Sequence, residues 1–170
     1  MNIILVAKII GIAAFIVSCI GYLQKQDNNL RIAMAIAAGM FSFHYFLMLA
    51  RVPAVNLLIN AIRNNAARKL KGIKWFILFA IIQLSISITL YSSLRDLLPI
   101  SASLVSAYAM FCSQKYRFRL LILLCSGIWL INNIVYMSYG PILQEIVSIS
   151  MNIIGINRIR TQDIKIEEES

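Results

Sequence analysis

Two stretches, PAVNLLINAIRN at residues 53–64 and PILQEIVSISMN at residues 141–152, decide how this sequence folds. Each begins with a proline and carries polar residues four positions apart in an otherwise apolar segment. Residues four apart lie on one face of a helix. Polar groups inside a membrane turn toward a bundle interior or a cavity. The sequence therefore predicts two inward-facing polar stripes, which consist of Asn56, Asn60 and Asn64 and of Gln144, Ser148 and Asn152.

The composition places these stripes in a membrane protein. Of 170 residues, 60% are hydrophobic and 14% are charged, whereas a soluble domain is nearer to half and a quarter. The apolar run from about Ile3 to Leu23 is long enough to cross a hydrocarbon core about 30 Å thick. These features exclude a soluble enzyme. We expect the first run to be a retained helix, because no cleavage site leads from it into a polar domain.

The positive charges favour seven spanning helices. If seven spans alternate, thirteen of the 16 Lys and Arg lie on one side, and Lys8, Arg51 and Arg95 lie on the other. Lys and Arg collect in cytoplasmic loops, so the N-terminus is predicted outside and the C-terminus in the cytoplasm. Topology then explains the net charge of +9 without a nucleic-acid partner. Besides the bilayer, anionic lipid at the basic cytoplasmic face is an expected partner.

An internal repeat links the two stripes. Sliding the chain on itself by 88 residues aligns Pro53 with Pro141 and superimposes one stripe on the other. The same offset pairs His44 with Asn132. Each unit has three helices, an odd number, so direct fusion would place the second unit upside down in the membrane. A single linker helix between the units restores the orientation of the second unit. Parallel repeats of this kind recur among transporters.

The predicted fold is an all-α membrane protein with seven transmembrane helices, arranged as two parallel three-helix bundles joined by a linker helix. The predicted boundaries are a first repeat at 1–70, the linker helix at 71–96, a second repeat at 97–158 and a polar cytoplasmic tail at 159–170, which is expected to be frayed or disordered.

A substrate pocket is expected between the bundles, lined by the third and seventh helices. His44 has two interpretations, a hydrogen-bonded core residue or a proton or substrate site. Glu145 is either such a site or the partner of Arg63 in an ion pair. Asn132 and Asn133 either join helices or line the pocket beside Trp129. The predicted substrate-binding residues are His44, Asn56, Asn60, Asn64, Trp129, Asn132, Gln144, Glu145, Ser148 and Asn152.

No catalytic or metal-binding motif is found, so neither an enzyme nor a cofactor is expected. The three cysteines, Cys19, Cys112 and Cys125, have no close spacing and are interpreted as small packing residues.

The pattern resembles the PQ-loop and SWEET superfamily, which implies a 3+1+3 helix arrangement. GYLQKQ supplies Gln24 and Gln26, and FCSQK supplies Gln114, without the proline of that family's signature. The resemblance also assigns Trp129 and Asn152 to its aromatic and Asn positions. The missing prolines leave the family's hinge without a counterpart here.

Over nearly its whole length the chain is also similar to YgjV-type bacterial inner membrane proteins. The similarity rests on FHYFLMLARVPAVN, which contains His44, on LPISAS from Leu98 and on WLINN at 129–133. It implies an inner-membrane location and no settled chemistry.

Two functions are compatible with these features. The first is a transporter or facilitator of a small polar solute, sugar-like or another small metabolite. The second is a non-transporting membrane receptor or scaffold on the same fold. Association with further copies of the chain, the direction of transport and proton coupling are left open by the sequence.

Overall fold

The computed structural model describes residues 3–22, 27–67 and 69–168, and within these ranges the chain forms seven α-helices and no β-strand. The expectation of an all-α protein is confirmed. Gln24, Lys25, Gln26 and Arg68 lie outside the described residues. A single 3₁₀ turn, Leu94–Asp96, precedes the fifth helix. The helices are α1 Ile3–Tyr22, α2 Asp27–Leu47, α3 Arg51–Ala66, α4 Ile73–Leu90, α5 Leu97–Cys112, α6 Lys115–Val135 and α7 Tyr139–Glu168.

Three of the described helices are long and apolar enough to cross a membrane. Their apolar segments are Ile3–Ile20 in α1, Ile73–Leu90 in α4 and Tyr116–Val135 in α6, and α2 has a shorter one at Ile32–Leu47. Helices α3 and α5 have 16 residues each, which corresponds to about 24 Å at 1.5 Å per residue. They fall short of the hydrocarbon thickness, and α7 interrupts its apolar sequence with Gln144 and Glu145.

The helices pack as two groups of three. Helix α2 packs against α1 and α3 in the first group, and α6 packs against α5 and α7 in the second. The groups meet mainly where α1 packs against α7 and where α3 packs against α5, while α4 packs on α5 and α3. The third helix of each group thus contacts the first helix of the other.

Corresponding elements of the two groups lie 88 residues apart. Helices α2 and α6 begin and end at this spacing, and α3 and α7 begin at it. The turn before each third helix has the same shape, because Leu49 has a φ of 59° and Met137 a φ of 49°. In both turns a backbone N–H closes the preceding helix: Ala50 donates to Tyr45 O at 3.0 Å, and Ser138 donates to Asn133 O at 2.9 Å.

The apolar cores show the same spacing. One cluster consists of Ala14, Ala37 and Phe41, and another consists of Ala102, Cys125 and Trp129. Leu57 of α3 packs against both, as well as against a third cluster formed by Tyr45, Ala50 and Ala54. Small residues at these positions let the helices approach closely, and Leu57 fills the space between the two groups.

The C-terminal segment differs from the disordered alternative for the expected frayed or disordered tail. Helix α7 continues to Glu168, so residues 159–168 are helical. After Gly155 the segment contains no glycine or proline, and its Arg, Gln, Lys and Glu residues favour helix. Local helix propensity therefore outweighs the polarity on which the disorder prediction rested.

Candidate functional site

Four buried polar side chains form an axial cluster where α2 and α6 end: His44, Tyr45, Asn132 and Asn133. The Tyr45 hydroxyl donates a hydrogen bond to Asn133 Oδ1, and Asn132 Nδ2 donates to Tyr45 Oη at 3.4 Å. His44 and Tyr45 lie in the last turn of α2, and the two asparagines lie in the corresponding turn of α6. The cluster therefore joins the two helix groups through polar contacts.

Two atoms of the axial cluster lack a hydrogen-bond partner among the described residues, His44 Nε2 and Asn132 Oδ1. His44 Nδ1 lies 2.6 Å from Ala7 O. A carbonyl oxygen only accepts, so in the neutral ring Nδ1 carries the hydrogen and Nε2 is an acceptor. Both unpaired atoms are thus acceptors. A buried polar atom without a partner is costly, and the cluster is suited to a ligand that donates hydrogen bonds.

A second group, the linker cluster, lies between α3, α4 and α5. Asn56 Nδ2 donates to Val52 O at 2.9 Å and to Ser87 Oγ of α4 at 3.1 Å. Asn60 Nδ2 donates to Ser103 Oγ of α5 at 3.0 Å. Gln83 Nε2 of α4 donates to Ile100 O at 3.2 Å. Within the described ranges, the side-chain oxygens of Asn56, Asn60 and Gln83 have no hydrogen-bond donor.

Arg63 completes the linker cluster and is only 1% exposed. Nη1 donates to Ser103 O at 2.8 Å, and Nη2 donates to Ser106 Oγ at 2.8 Å. Nε and Nη2 also donate to Asn64 Oδ1, at 3.3 and 3.0 Å. In the part of the chain that the structure describes, these partners are all neutral. The geometry therefore differs from the alternative in which Arg63 forms an ion pair with Glu145.

Two polar residues of α7, Glu145 and Ser148, lie beside Ser126 of α6. Ser148 Oγ lies 2.8 Å from Ser126 Oγ, and Asn152 Nδ2 donates to Ser148 O at 2.8 Å. Glu145 is half-buried and has Ser126 beside its carboxyl group. Gln144 is buried one helical turn before Ser148. This third group is separate from the linker cluster, whose side chains face α4 and α5.

The ten residues predicted from the sequence are thus distributed over three groups and one apolar core. His44 and Asn132 belong to the axial cluster, and Asn56, Asn60 and Asn64 lie along the linker cluster. Trp129 packs with Ala102 and Cys125. The remaining four residues, Gln144, Glu145, Ser148 and Asn152, lie on α7.

Sequence reasoning missed Gln83, Ser87 and Tyr45, which complete these clusters, and it left two interpretations open for Asn133. On α4, Gln83 and Ser87 are four apart inside an apolar run, the same signal that identified the stripe of α3. Tyr45 and Asn133 adjoin residues that were predicted, and the offset of 88 pairs them with each other. Both signals are therefore present in the sequence.

The described residues contain no group of three or more His, Cys, Asp and Glu side chains placed to hold a metal ion. Cys19 and Cys112 are partly buried and Cys125 is buried, and each is a free thiol. The polar chemistry of the three groups is therefore that of amides, hydroxyls, one imidazole, one guanidinium group and the carboxyl group of Glu145.

Comparison with known proteins identifies the family. Residues 5–163 match the profile of a family named Imp-YgjV and described as bacterial inner membrane protein. The chain is 22% identical over 154 residues to the inner membrane protein YgjV of Escherichia coli strain K12. That alignment covers 91% of this chain and 83% of the relative. No solved structure matches the chain significantly.

Proposed function

The chain belongs to the YgjV family of bacterial inner membrane proteins, and on that premise we propose that it is a transporter or facilitator of a small polar solute. The observation that carries the proposal is the axial cluster. Buried groups with unpaired hydrogen-bonding atoms lie there at the junction of two helix groups. Binding sites between repeated units are typical of secondary transporters. The proposal is accordingly for a transporter and not for an enzyme.

The proposed architecture is a seven-span 3+1+3 arrangement like that of the PQ-loop and SWEET superfamily. Its support is the exchange of partners, in which α1 contacts α7 and α5 contacts α3. A two-fold axis that relates α1, α2 and α3 to α5, α6 and α7 converts the first contact into the second. The turns at Leu49 and Met137 and the two apolar clusters add support at the same offset.

Short helices are compatible with seven spans because neighbouring helices, not lipid, surround the polar side chains. Asn56, Asn60 and Arg63 are all buried and bonded within the protein. A bilayer also thins around helices shorter than its core at a modest free-energy cost. The distribution of Lys and Arg supports an outside N-terminus and a cytoplasmic C-terminus.

The test is solute uptake by the purified protein in liposomes, measured as osmotic swelling by light scattering. The panel contains glycerol, glucose and glycine. We expect at least one of them to enter faster than into empty liposomes. Asn132→Leu is expected to slow that entry at least tenfold, because it replaces the amide that carries the unpaired oxygen by an apolar group of similar size.

Ser101→Ala is the matched control, because Ser101 is exposed and its hydroxyl donates within its own helix, to Leu98 O at 3.0 Å. It should transport as the wild type does. Equal swelling with and without the protein for all three solutes would refute the transport proposal.

One observation favours the second candidate, a receptor or scaffold that does not transport. Leu57 packs against all three apolar clusters and fills the space between the helix groups. A fixed plug at this position would block passage. Leu57→Ala opens that space, so faster swelling in this variant than in the wild type would identify Leu57 as a barrier. If liposomes with the wild type and liposomes with Leu57→Ala both swell no faster than empty liposomes, the result would support the receptor.

A further inference from the structure

We propose that the linker cluster is a binding site for a small zwitterion. Arg63 would bind its anionic group, and the side-chain oxygens of Asn56, Asn60 and Gln83 would accept hydrogen bonds from its ammonium group. This site is distinct from the axial cluster and includes the linker helix α4. Its occupancy is an equilibrium property, so the inference stands independently of the proposed transport.

The identity of the unpaired atoms follows from the amide partners. Asn56 Nδ2 and Gln83 Nε2 each donate to a backbone carbonyl, Val52 O and Ile100 O. Carbonyl oxygens only accept, so both amides must present nitrogen there and leave oxygen on the other side. The two unpaired atoms are therefore acceptors, and an N–H or O–H donor is what they lack.

Arg63 lacks the opposite group. Its guanidinium carries a full positive charge, and its described partners are a carbonyl, a hydroxyl and an amide oxygen. Nε, Nη1 and Nη2 all donate to these neutral acceptors, and a charge buried without a counter-charge is costly. An anionic ligand group would supply the missing charge.

One ligand that carries both groups fits better than a simple anion. An anion alone would be repelled by the amide oxygens of the cluster. It would also supply no hydrogen-bond donor to these oxygens. Asn60 and Arg63 are joined through Ser103, which accepts from both side chains. Their Cα atoms are about 4.5 Å apart along the helix axis. The anionic group of a small zwitterion can therefore reach Arg63 while its ammonium group reaches Asn60.

Packing alone does not require these polar residues. The contact of α3 with α5 has a counterpart in the contact of α7 with α1. At the offset of 88, Arg63 corresponds to Met151 and Ser103 to Phe15. The counterpart interface thus has apolar residues where the linker cluster has a guanidinium and a hydroxyl. The linker cluster alone is covered by α4, which supplies Gln83 and Ser87.

The experiment measures binding to the purified full-length protein in detergent. Equilibrium dialysis with labelled alanine gives the affinity, and propionate and isopropylamine serve as competitors of nearly the same size. Each competitor keeps only one charge of the zwitterion. We expect saturable binding of alanine and at least tenfold weaker competition by either single-charge compound.

Arg63→Met, which copies the counterpart residue, is expected to abolish alanine binding. Gln83→Leu keeps the buried charge and should weaken binding at least tenfold, which provides a second test if Arg63→Met does not fold. Asn132→Leu in the axial cluster is the control and should bind alanine normally. Loss of solute uptake in that variant with retained alanine binding separates this site from the proposed transport pocket.

Three outcomes would overturn the proposal: no saturable binding of alanine, competition by propionate equal to that by alanine, or unchanged binding in Gln83→Leu. The second outcome would identify a simple anion site at Arg63.

Discussion

The Tyr45 hydroxyl donates a hydrogen bond to Asn133 Oδ1, and the two residues are 88 positions apart in the chain. The same number separates the turns at Leu49 and Met137. Two positions exchanged by a two-fold axis can touch only near that axis. If the helix groups are repeats, as we propose, the axis passes beside the Tyr45–Asn133 contact, and the axial cluster lies where a solute path along it would run.

Removal of the Tyr45 hydroxyl tests the energetic role of this contact. Tyr45→Phe removes the hydroxyl that donates to Asn133 Oδ1 and accepts from Asn132 Nδ2, so the two buried amides keep the longer contact of Asn132 Nδ2 with Asn133 Oδ1 at 3.4 Å but are less fully satisfied. An unsatisfied buried polar group costs about 1–3 kcal/mol. We expect the free energy of unfolding in detergent to fall by that amount. Tyr91→Phe, at an exposed residue, should leave it unchanged, and equal effects of both substitutions would contradict the assignment.

Glycine at the two left-handed turn positions should stabilise the protein. Leu49 and Met137 have positive φ values of 59° and 49°, a conformation that costs an L-residue about 1–2 kcal/mol and costs glycine little. Their side chains are 82% and 65% exposed, so little packing is lost. Leu49→Gly and Met137→Gly should each raise the free energy of unfolding by about 0.5–1 kcal/mol. Leu58→Gly, inside α3, should lower it, and destabilisation in all three variants would argue against strain at the turns.

The sequence predicted helices well where the pattern is local. The apolar runs in the sequence correctly identified α1, α4 and α6. The two prolines, Pro53 and Pro141, lie in the first turns of α3 and α7. Proline is tolerated there because the first N–H groups of a helix have no partner within it. The end of α7 was mispredicted because polarity was treated as disorder in a segment that lacks helix breakers.

The site was harder to predict because a polar stripe shows which face of a helix turns inward but not which other helix packs against that face. Asn56, Asn60 and Asn64 do lie on one side of α3, as their spacing requires. That side faces α4 and α5, however, and not α7. Which helix packs there depends on contacts between residues about thirty to forty positions apart, such as Asn56 with Ser87 and Asn60 with Ser103. Spacing within one helix contains no information on such contacts.

Reporter fusions test the proposed topology. Green fluorescent protein folds in the cytoplasm, whereas alkaline phosphatase is active only outside it, where its disulfides form. Fusion after Ser170 should give fluorescence and no phosphatase activity. Fusion after Ser93, between α4 and α5, should give the opposite result. Phosphatase activity at both sites would rule out an odd number of spans from Leu94 to the C-terminus.

The closest approach of α1 and α7 depends on glycine at position 140. A Cβ atom added to Gly140 would overlap the backbone of Gly11, which is part of α1 and does not move without shifting that helix. We therefore expect Gly140→Ala to separate the two helices and to lower the free energy of unfolding by about 1–3 kcal/mol, as overpacking does elsewhere.

Gly39 and Gly127 are the matched controls, because an added Cβ meets no atom within 4 Å at either. Gly39→Ala and Gly127→Ala should be neutral or stabilising, since alanine favours helix more than glycine does by about 1 kcal/mol. Thermal unfolding in detergent measures all three, and a neutral Gly140→Ala would show that α1 and α7 are not in direct backbone contact.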